Sequence, residues 1–186
     1  MKNFKILITF ILLLVLNTSY AQLEKGNLLI GGSVALDMQL VEDGDNLLVV
    51  FVNPSILTLI TNNFAVGGVV GLTYRKRGEA SATSLSVLPS GRLYFPGLID
   101  NVAFFVDAQI GLQLESFGFD GFSNTESAFA FGFGPGMAFF ISDNISIDTG
   151  LSFYQAGDDV DQSSTFLSSI HFNIGLQVFL TRKKKE

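Results

Sequence analysis

The clearest pattern in the chain is an alternation of apolar and polar residues with a period of two. In the last such run, apolar residues from Ile170 to Leu180 alternate with polar or small residues from Ser169 to Gln177. This period places the two sets on opposite faces of a β-strand. Eight runs are predicted as strands, at about 27–40, 47–60, 64–75, 84–95, 102–114, 127–141, 145–154 and 164–180. The chain is therefore predicted to be all-β.

The connections between these runs alternate in length. Tight or short turns are predicted at 61–63, 96–101 and 142–144, and polar loops at 41–46, 76–83, 115–126 and 155–163. An even strand number with short turns at one end and long loops at the other is typical of an antiparallel up-and-down transmembrane β-barrel. A soluble barrel or sandwich also alternates, but it needs a charged outer face. Here the less apolar face is mostly Gly, Ala and Ser, which favours the membrane barrel.

Three prolines recur at one place in the pattern, each inside a strand that precedes a short turn. They are Pro54, Pro89 and Pro135. Proline has no N–H to donate to a ladder, so its recurrence indicates a structural device. All three fall on the strand face that is predicted to contact lipid. Each is therefore predicted to mark a strand running towards the periplasm, its turn and the returning strand.

The first 21 residues are predicted to be a cleaved signal peptide. Lys2 and Lys5 precede the apolar stretch Ile6 to Leu16, and Ser19-Tyr20-Ala21 offers a cleavage site before Gln22. Residues 22–186 are then predicted to form one barrel domain in the outer membrane.

Composition excludes several functional classes. The chain has no cysteine, so it can form neither a disulfide scaffold nor a thiolate metal site. With 11 basic and 17 acidic residues, it also lacks the positive charge that nucleic-acid binding needs. No cofactor or metal is predicted.

The candidate functional residues fall into three groups. Arg92 is predicted to pair inside the barrel with Asp37, Asp107 and Asp148, because buried charges need partners. Ser169 and His171 share the inner face of the last strand, but two residues on one strand do not make a catalytic site, and no enzyme is predicted. Three aromatic residues are candidates for loop contacts with other molecules: Phe117, Phe119 and Phe122. Alternatively, the fifth and sixth strands extend above the membrane and these rings belong to an aromatic girdle.

Three segments resemble a known family, the small outer-membrane β-barrel domain proteins of Gram-negative envelopes. They are Lys25 to Gly32, Pro89 to Phe95 with Arg92 and Tyr94, and Gly134 to Ile145. The resemblance implies a monomer whose partners are outer-membrane lipid, lipopolysaccharide and the barrel assembly machinery. The family usually ends on an aromatic residue, whereas here Phe179 and Leu180 are followed by six further residues, Thr181 to Glu186.

Function is predicted to be structural or to involve surface interaction through four extracellular loops. A narrow channel, or a lumen that binds a small hydrophobic ligand, is the alternative, because Gly132, Gly134, Gly136 and Gly150 would leave space inside. A lipid-modifying enzyme at the rim is a second alternative. Eight strands leave an interior that side chains can fill, so a general porin is not expected. Outside the lumen, Arg75, Lys76 and Arg77 are predicted to meet lipid phosphates.

Overall fold

The computed structural model describes residues 23–39, 47–78, 80–96, 101–119, 122–157 and 167–181. Within these strands, the side chains of 37–39, 96, 117–119, 122–124 and 167–168 are outside the description. The strands are β1 (Leu28–Gln39), β2 (Leu47–Leu59), β3 (Phe64–Arg77), β4 (Ala80–Pro96), β5 (Val102–Phe119), β6 (Phe122–Ser142), β7 (Ile145–Gly157) and β8 (Leu167–Leu180). The predicted signal peptide falls outside the described residues.

The eight strands form a closed barrel in which each strand pairs antiparallel with its neighbours in sequence, and β1 pairs with β8. The predicted fold class and strand number are confirmed. In the described part of the chain, no helix is long and apolar enough to cross a membrane. The end of the barrel that carries Leu28, Leu180 and the short turns is called the terminal end. The opposite end is called the loop end.

Two of the predicted loops are wrong. The segments 76–83 and 115–126 are mostly strand, because β3 and β4 stay paired to Arg77↔Ala80, and β5 and β6 stay paired to Phe119↔Phe122. The extension of β5 and β6 agrees with the alternative given for their aromatic residues, but alternation alone does not indicate it, because outward positions such as Ser116 and Thr125 are polar. A strand that projects beyond hydrocarbon needs no apolar face, so alternation fades although the ladder continues.

The outward faces of the strands form an apolar band. Along β5, the outward residues Phe104, Val106, Ile110, Leu112 and Leu114 are all exposed, while Phe105 and Gln113 between them are buried. This arrangement reverses that of a soluble protein, and it repeats on β8 from Ile170 to Leu180. The predicted orientation of the faces is confirmed.

All three strand prolines are exposed on the outer face, as predicted. In each case the ladder to the following strand skips the proline. Pairs run from Val52↔Leu72 to Ser55↔Val69 around Pro54, and equivalent gaps surround the other two prolines. Proline has no N–H to donate, so each of these three strands lacks a ladder pair with the following strand at its proline.

Apolar side chains fill the terminal end of the lumen. Tyr94, Phe105, Phe140 and Phe179 are buried there with Leu23, which precedes β1. The segment before β1 is fixed to the end of β2, since Gly26 N–H donates to the Leu59 carbonyl and Leu59 N–H donates to the Asn27 carbonyl. This cluster, the aromatic floor, closes the barrel at its terminal end.

Candidate functional site in the barrel lumen

An ion-pair cluster centred on Arg92 lies directly above the aromatic floor. Arg92 and Asp107 face each other in the β4–β5 register, and two parallel hydrogen bonds join them, from Nε to Oδ1 at 2.7 Å and from Nη2 to Oδ2 at 2.9 Å. Arg92 Nη1 also donates to Asp148 Oδ2 on β7. Such two-pronged pairs hold the guanidinium in one orientation. The predicted contacts of Arg92 with Asp107 and Asp148 are present in the structure.

Neighbouring residues complete the environment of this cluster. Ser146 Oγ donates to Asp148 Oδ1 at 2.6 Å, and Arg92 Nη1 donates to the Tyr94 hydroxyl at 3.3 Å. The guanidinium carbon lies 3.9 Å from the centre of the Phe105 ring, within cation–π range. The cluster and the floor are therefore one packed unit.

Asp37, the fourth predicted member, lies on β1 near the loop end. Its backbone pairs with Val49, two positions before the loop end of β1, whereas Arg92 lies four positions before the terminal end of β4. The Asp37 side chain is outside the described residues, so its contact with Arg92 stays a prediction.

The three glycines of β6 and Gly150 of β7 do not leave the space predicted for them. A Cβ added at Gly136 would overlap the Phe105 ring, and a Cβ at Gly132 would come within 2.9 Å of Gln109 Nε2. A Cβ at Gly134 would meet the backbone of β7, and one at Gly150 would lie 3.1 Å from the Pro135 carbonyl oxygen. These glycines accommodate side chains and neighbouring strands, so they are not evidence for an open lumen.

Polar side chains fill the loop half of the lumen. Arg75 Nη1 pairs with Glu115 Oε1 at 2.5 Å, Gln113 Nε2 donates to Glu115 Oε2 at 3.3 Å, and the Tyr154 hydroxyl donates to Gln113 Oε1 at 2.7 Å. This chain crosses from β3 to β7. Arg75 thus has a partner inside the barrel, which corrects its prediction as a lipid-phosphate contact, while Lys76 and Arg77 are exposed.

Between these two polar layers lies a cavity of about 100 Å³. Its polar lining includes Asn53, Ser90, Asn173 and Gln177. Gln177 is 2% exposed, and among the described residues its Nε2 has no hydrogen-bond partner. A buried amide with an unused donor is the type of group that binds a polar ligand atom.

His171 lies on the inner face of β8, as predicted. A hydrogen bond of 2.6 Å joins its Nε2 to Ser169 Oγ, and its ring centre lies 4.1 Å from that of Phe51. The serine–histidine distance is that of a nucleophile–base pair, but an active site also needs donors for the developing oxyanion. No group of three or more metal-ligating side chains occurs in the described part.

The structure describes only the backbone of Phe117, Phe119 and Phe122. All three lie in the paired extension of β5 and β6, and Phe119 pairs with Phe122 at its tip. Their predicted loop contacts lie outside the described side chains and stay a prediction.

Comparison with known proteins finds similarity in structure alone. No family model and no curated protein matches the chain. Neisserial surface protein A is similar at 14% identity over 83% of this chain and 97% of that chain, with a TM-score of 0.60. The attachment invasion locus protein Ail of Yersinia pestis is similar at 16% identity over 84% and 99%, with a TM-score of 0.52.

This chain has the fold of the small eight-stranded outer-membrane barrels. At these identities the similarity shows the fold and no more. The same fold also occurs in the outer membrane enzyme PagL, at 16% identity over 81% of this chain and 98% of that chain, with a TM-score of 0.50. Activity therefore has to be argued from the residues of this chain.

Sequence reasoning missed the contact of Arg92 with the Phe105 ring and the chain from Arg75 to Tyr154. One signal was available for the second. Gln113 and Glu115 are two positions apart on β5 and therefore share its inner face, so their polar side chains are expected to be neighbours in the lumen.

Proposed function

We propose that this protein is an integral outer-membrane barrel, closed to flow, that acts by contact at its outer surface and not by catalysis. The observation that carries the proposal is the filled lumen. The aromatic floor closes the terminal end, and the Arg92 cluster lies across the lumen above it. The outward apolar band supports the location, and so does the similar fold of the outer membrane enzyme PagL.

Surface contact is proposed for the hairpin of β5 and β6. Apolar outward residues end at Leu114 on β5 and begin at Phe129 on β6, and the exposed residues beyond them, such as Ser116 and Thr125, are polar. A hydrogen bond of 3.0 Å joins the hydroxyls of these two residues across the hairpin. The described part of the hairpin is thus a paired projection beyond the apolar band.

Lipid and lipopolysaccharide are proposed partners at the barrel wall. Lys76 and Arg77 are exposed at the loop end of β3, where lipid phosphates would lie if the short turns face the periplasm. Recognition by the barrel assembly machinery, through the end of β8, and the monomeric state are proposed on the resemblance alone.

The closed lumen is tested by planar-bilayer conductance of refolded protein. The wild type is expected to give no steady single-channel steps, because the floor and the Arg92 cluster block the path. A control variant that combines Tyr94→Ala and Phe105→Ala with Arg92→Ala removes two rings of the floor and the cation of the cluster, and it is expected to conduct. Steady steps from the wild type would overturn the closed barrel.

Surface contact is tested by shortening the hairpin. Residues 117–124 are replaced by Asn-Gly, a two-residue turn that suits antiparallel strands. Cells that display the shortened barrel are expected to lose adhesion to a cell layer while heat-modifiable gel mobility is retained. The matched control replaces 78–79 at the β3–β4 tip with the same turn. Equal adhesion of all three proteins would refute the role of the hairpin.

A further inference from the structure

A groove lies in the outer wall of the barrel where β1 runs between β2 and β8. Gly32 is at its centre, paired with Pro54 on one side and Leu176 on the other. Because glycine has no side chain, the outward row of β1 has a gap between Ile30 and Val34. The groove has a volume of about 560 Å³, which lies in the range of small-molecule sites, roughly 300–1,000 Å³.

The groove is a fixed part of this wall. A Cβ added at Gly32 would lie 2.7 Å from the Asn53 carbonyl oxygen and 2.9 Å from Pro54 Cα, so β1 and β2 approach each other too closely here for another residue. The ladders from β1 to β2 and from β1 to β8 both continue through this row. The groove is therefore a notch in the outer surface with a continuous wall beneath it.

The depth of the groove places it among hydrocarbon chains. Val34, Val52 and Ile174 on its loop side are all exposed in the apolar band. Gly32 is four residues from Leu28, about 13 Å along the strand and about 10 Å in depth once strand tilt is included. One leaflet covers about half of a band of roughly 25 Å. A chain of the leaflet at the terminal end can therefore fill the groove.

Basic residues are concentrated at the terminal end of the same wall. Four of them, Arg182 to Lys185, follow β8 in the sequence. A residue adds at most about 3.6 Å to the length of a chain, so the last of the four is no further than about 18 Å from Leu180. Lys25 is exposed just before β1, and its backbone N–H donates to Asn62 Oδ1 in the β2–β3 turn at 3.0 Å. The basic residues thus flank the strands that form the groove.

The charge of this end differs in sign from that of the chain. Against its five basic residues are three acidic ones, Glu24, Asp143 and Glu186, which gives a net charge of +2, whereas the whole chain carries −6. Basic residues next to a membrane-spanning segment attract anionic lipid heads. The groove accepts the chain of any lipid, and the charge selects an anionic one.

A second gap in the apolar band lacks this charge. On β3 and β4, Gly68 pairs with Pro89 as Gly32 pairs with Pro54. Strand β4 is four strands from β8 in the barrel, and the turn that follows it, 97–101, contains one acidic residue and no basic residue. The two walls therefore separate the effect of shape from the effect of charge.

We propose that the wall of β1, β2 and β8 binds an anionic glycerophospholipid of the leaflet at the terminal end. One hydrocarbon chain lies in the groove, and the phosphate lies beside Lys25 and the basic residues that follow β8. The site rests on the membrane location proposed above and adds the class of lipid and its place. It is at the opposite end of the barrel from Lys76 and Arg77, so it is distinct from the proposed contact with lipopolysaccharide.

The test uses refolded protein in phosphatidylcholine nanodiscs with two photoactivatable probes, phosphatidylglycerol and phosphatidylcholine, that carry the same diazirine chain. Phosphatidylglycerol is expected to label peptides that contain Val34, Val52 and Ile174, and unlabelled phosphatidylglycerol should compete. Labelling there by phosphatidylcholine should be about tenfold weaker, a difference of about 1.4 kcal/mol. The difference should shrink in about 1 M salt, where the screening length is about 3 Å. On the wall of β3 and β4 the two probes should label equally.

Three results would overturn the proposal. Equal labelling of the groove by both probes, or phosphatidylglycerol label spread evenly around the outward faces, would remove the lipid site and leave the membrane location intact. Absence of label from every outward face would remove both. A groove without label, in a protein that native mass spectrometry shows to be a dimer, would mean that a second copy covers this wall.

A first pair of variants tests the groove. Val34→Trp places a large side chain beside Gly32, and phosphatidylglycerol label on the β2 and β8 peptides is expected to fall about tenfold. Val87→Trp adds the same side chain at an outward position of β4 with similar exposure, 60% against 56%, and should leave that label unchanged. Heat-modifiable mobility shows whether each variant folds, and the two probes on the wild type decide the proposal without either. Unchanged label in folded Val34→Trp would contradict binding in the groove.

A second pair tests the head group. Arg182→Gln with Lys183→Gln should lower phosphatidylglycerol labelling about tenfold, to the level of phosphatidylcholine. Lys76→Gln with Arg77→Gln removes the same two charges at the loop end and should leave it unchanged. An equal fall in both variants would show that the net charge of the protein, and not a site at the terminal end, attracts the lipid.

Discussion

The two halves of the lumen are packed in different ways. In the terminal half, aromatic rings fill the space and Arg92 is surrounded by Asp107, Asp148 and the Phe105 ring. In the loop half, hydroxyls, amides and one ion pair line a cavity of about 100 Å³. The comparison indicates that the terminal half is closely packed, whereas the loop half retains space between its polar side chains.

The sharpest test of this difference is to remove the central charge of each half. Arg92→Met leaves two carboxylates without their cation, and it is expected to lower the free energy of unfolding by about 3 kcal/mol. Arg75→Met breaks the more exposed pair with Glu115, and about 1 kcal/mol is expected. Because the chain has no tryptophan, unfolding in urea is followed by far-UV circular dichroism and gel mobility. Equal losses would remove the distinction between the halves.

A smaller effect is expected from overpacking the terminal half. Gly136→Ala places a methyl group where the Phe105 ring lies, and it is expected to cost about 2 kcal/mol because the ring must move away from Arg92. The control is Gly68→Ala on the outer face of β3, where the nearest atom, the Leu88 carbonyl oxygen, is 3.9 Å away. The control should unfold at the wild-type urea concentration. A Gly136→Ala barrel as stable as the control would show that the floor is loosely packed.

The sequence predicted the parts of the fold that depend on local pattern. Alternation located all eight strands, and it placed Asp107, His171 and Phe179 on the inner face. It failed at Ser116 and Thr125, because beyond the apolar band a strand is held by its ladder and not by the burial of one face. The pairing of the first strand with the last, from Leu28↔Leu180 to Val34↔Ile174, was equally hidden, since alternation within a strand does not give the register between strands.

The sequence predicted the kind of candidate site, an ion-pair cluster in the lumen, but only some of the residues that form it. One buried cation required carboxylates, and two of the three candidates, Asp107 and Asp148, lie within reach. The third candidate, Asp37, shares the predicted inner face with Arg92, and its contact with Arg92 stays a prediction because its side chain lies outside the described residues. The role of Gly136 also needed the structure, because its missing side chain is matched to a ring on another strand.

In the loop half, single polar contacts are expected to contribute little. Tyr154→Phe removes the hydroxyl that donates to Gln113 Oε1 and should cost about 1 kcal/mol, the usual net value of one hydrogen bond. The loss should shift the urea midpoint without changing the conductance of the barrel. A loss as large as that of Arg92→Met would show that the loop half is packed as closely as the terminal half.

The smallest effect on stability is expected outside the lumen altogether. Lys76→Gln with Arg77→Gln removes two exposed charges at the loop end of β3, and the free energy of unfolding should change by less than about 0.5 kcal/mol. If these residues meet lipid phosphates, the variant should instead bind vesicles containing lipopolysaccharide less tightly, and the difference should shrink as salt is added. Arg75→Gln is the matched control, since this cation already pairs with Glu115 inside the barrel. Vesicle binding that falls half as far in Arg75→Gln, in proportion to the one charge it removes, would mean that net charge, and not the exposed position of Lys76 and Arg77, determines the contact with lipid.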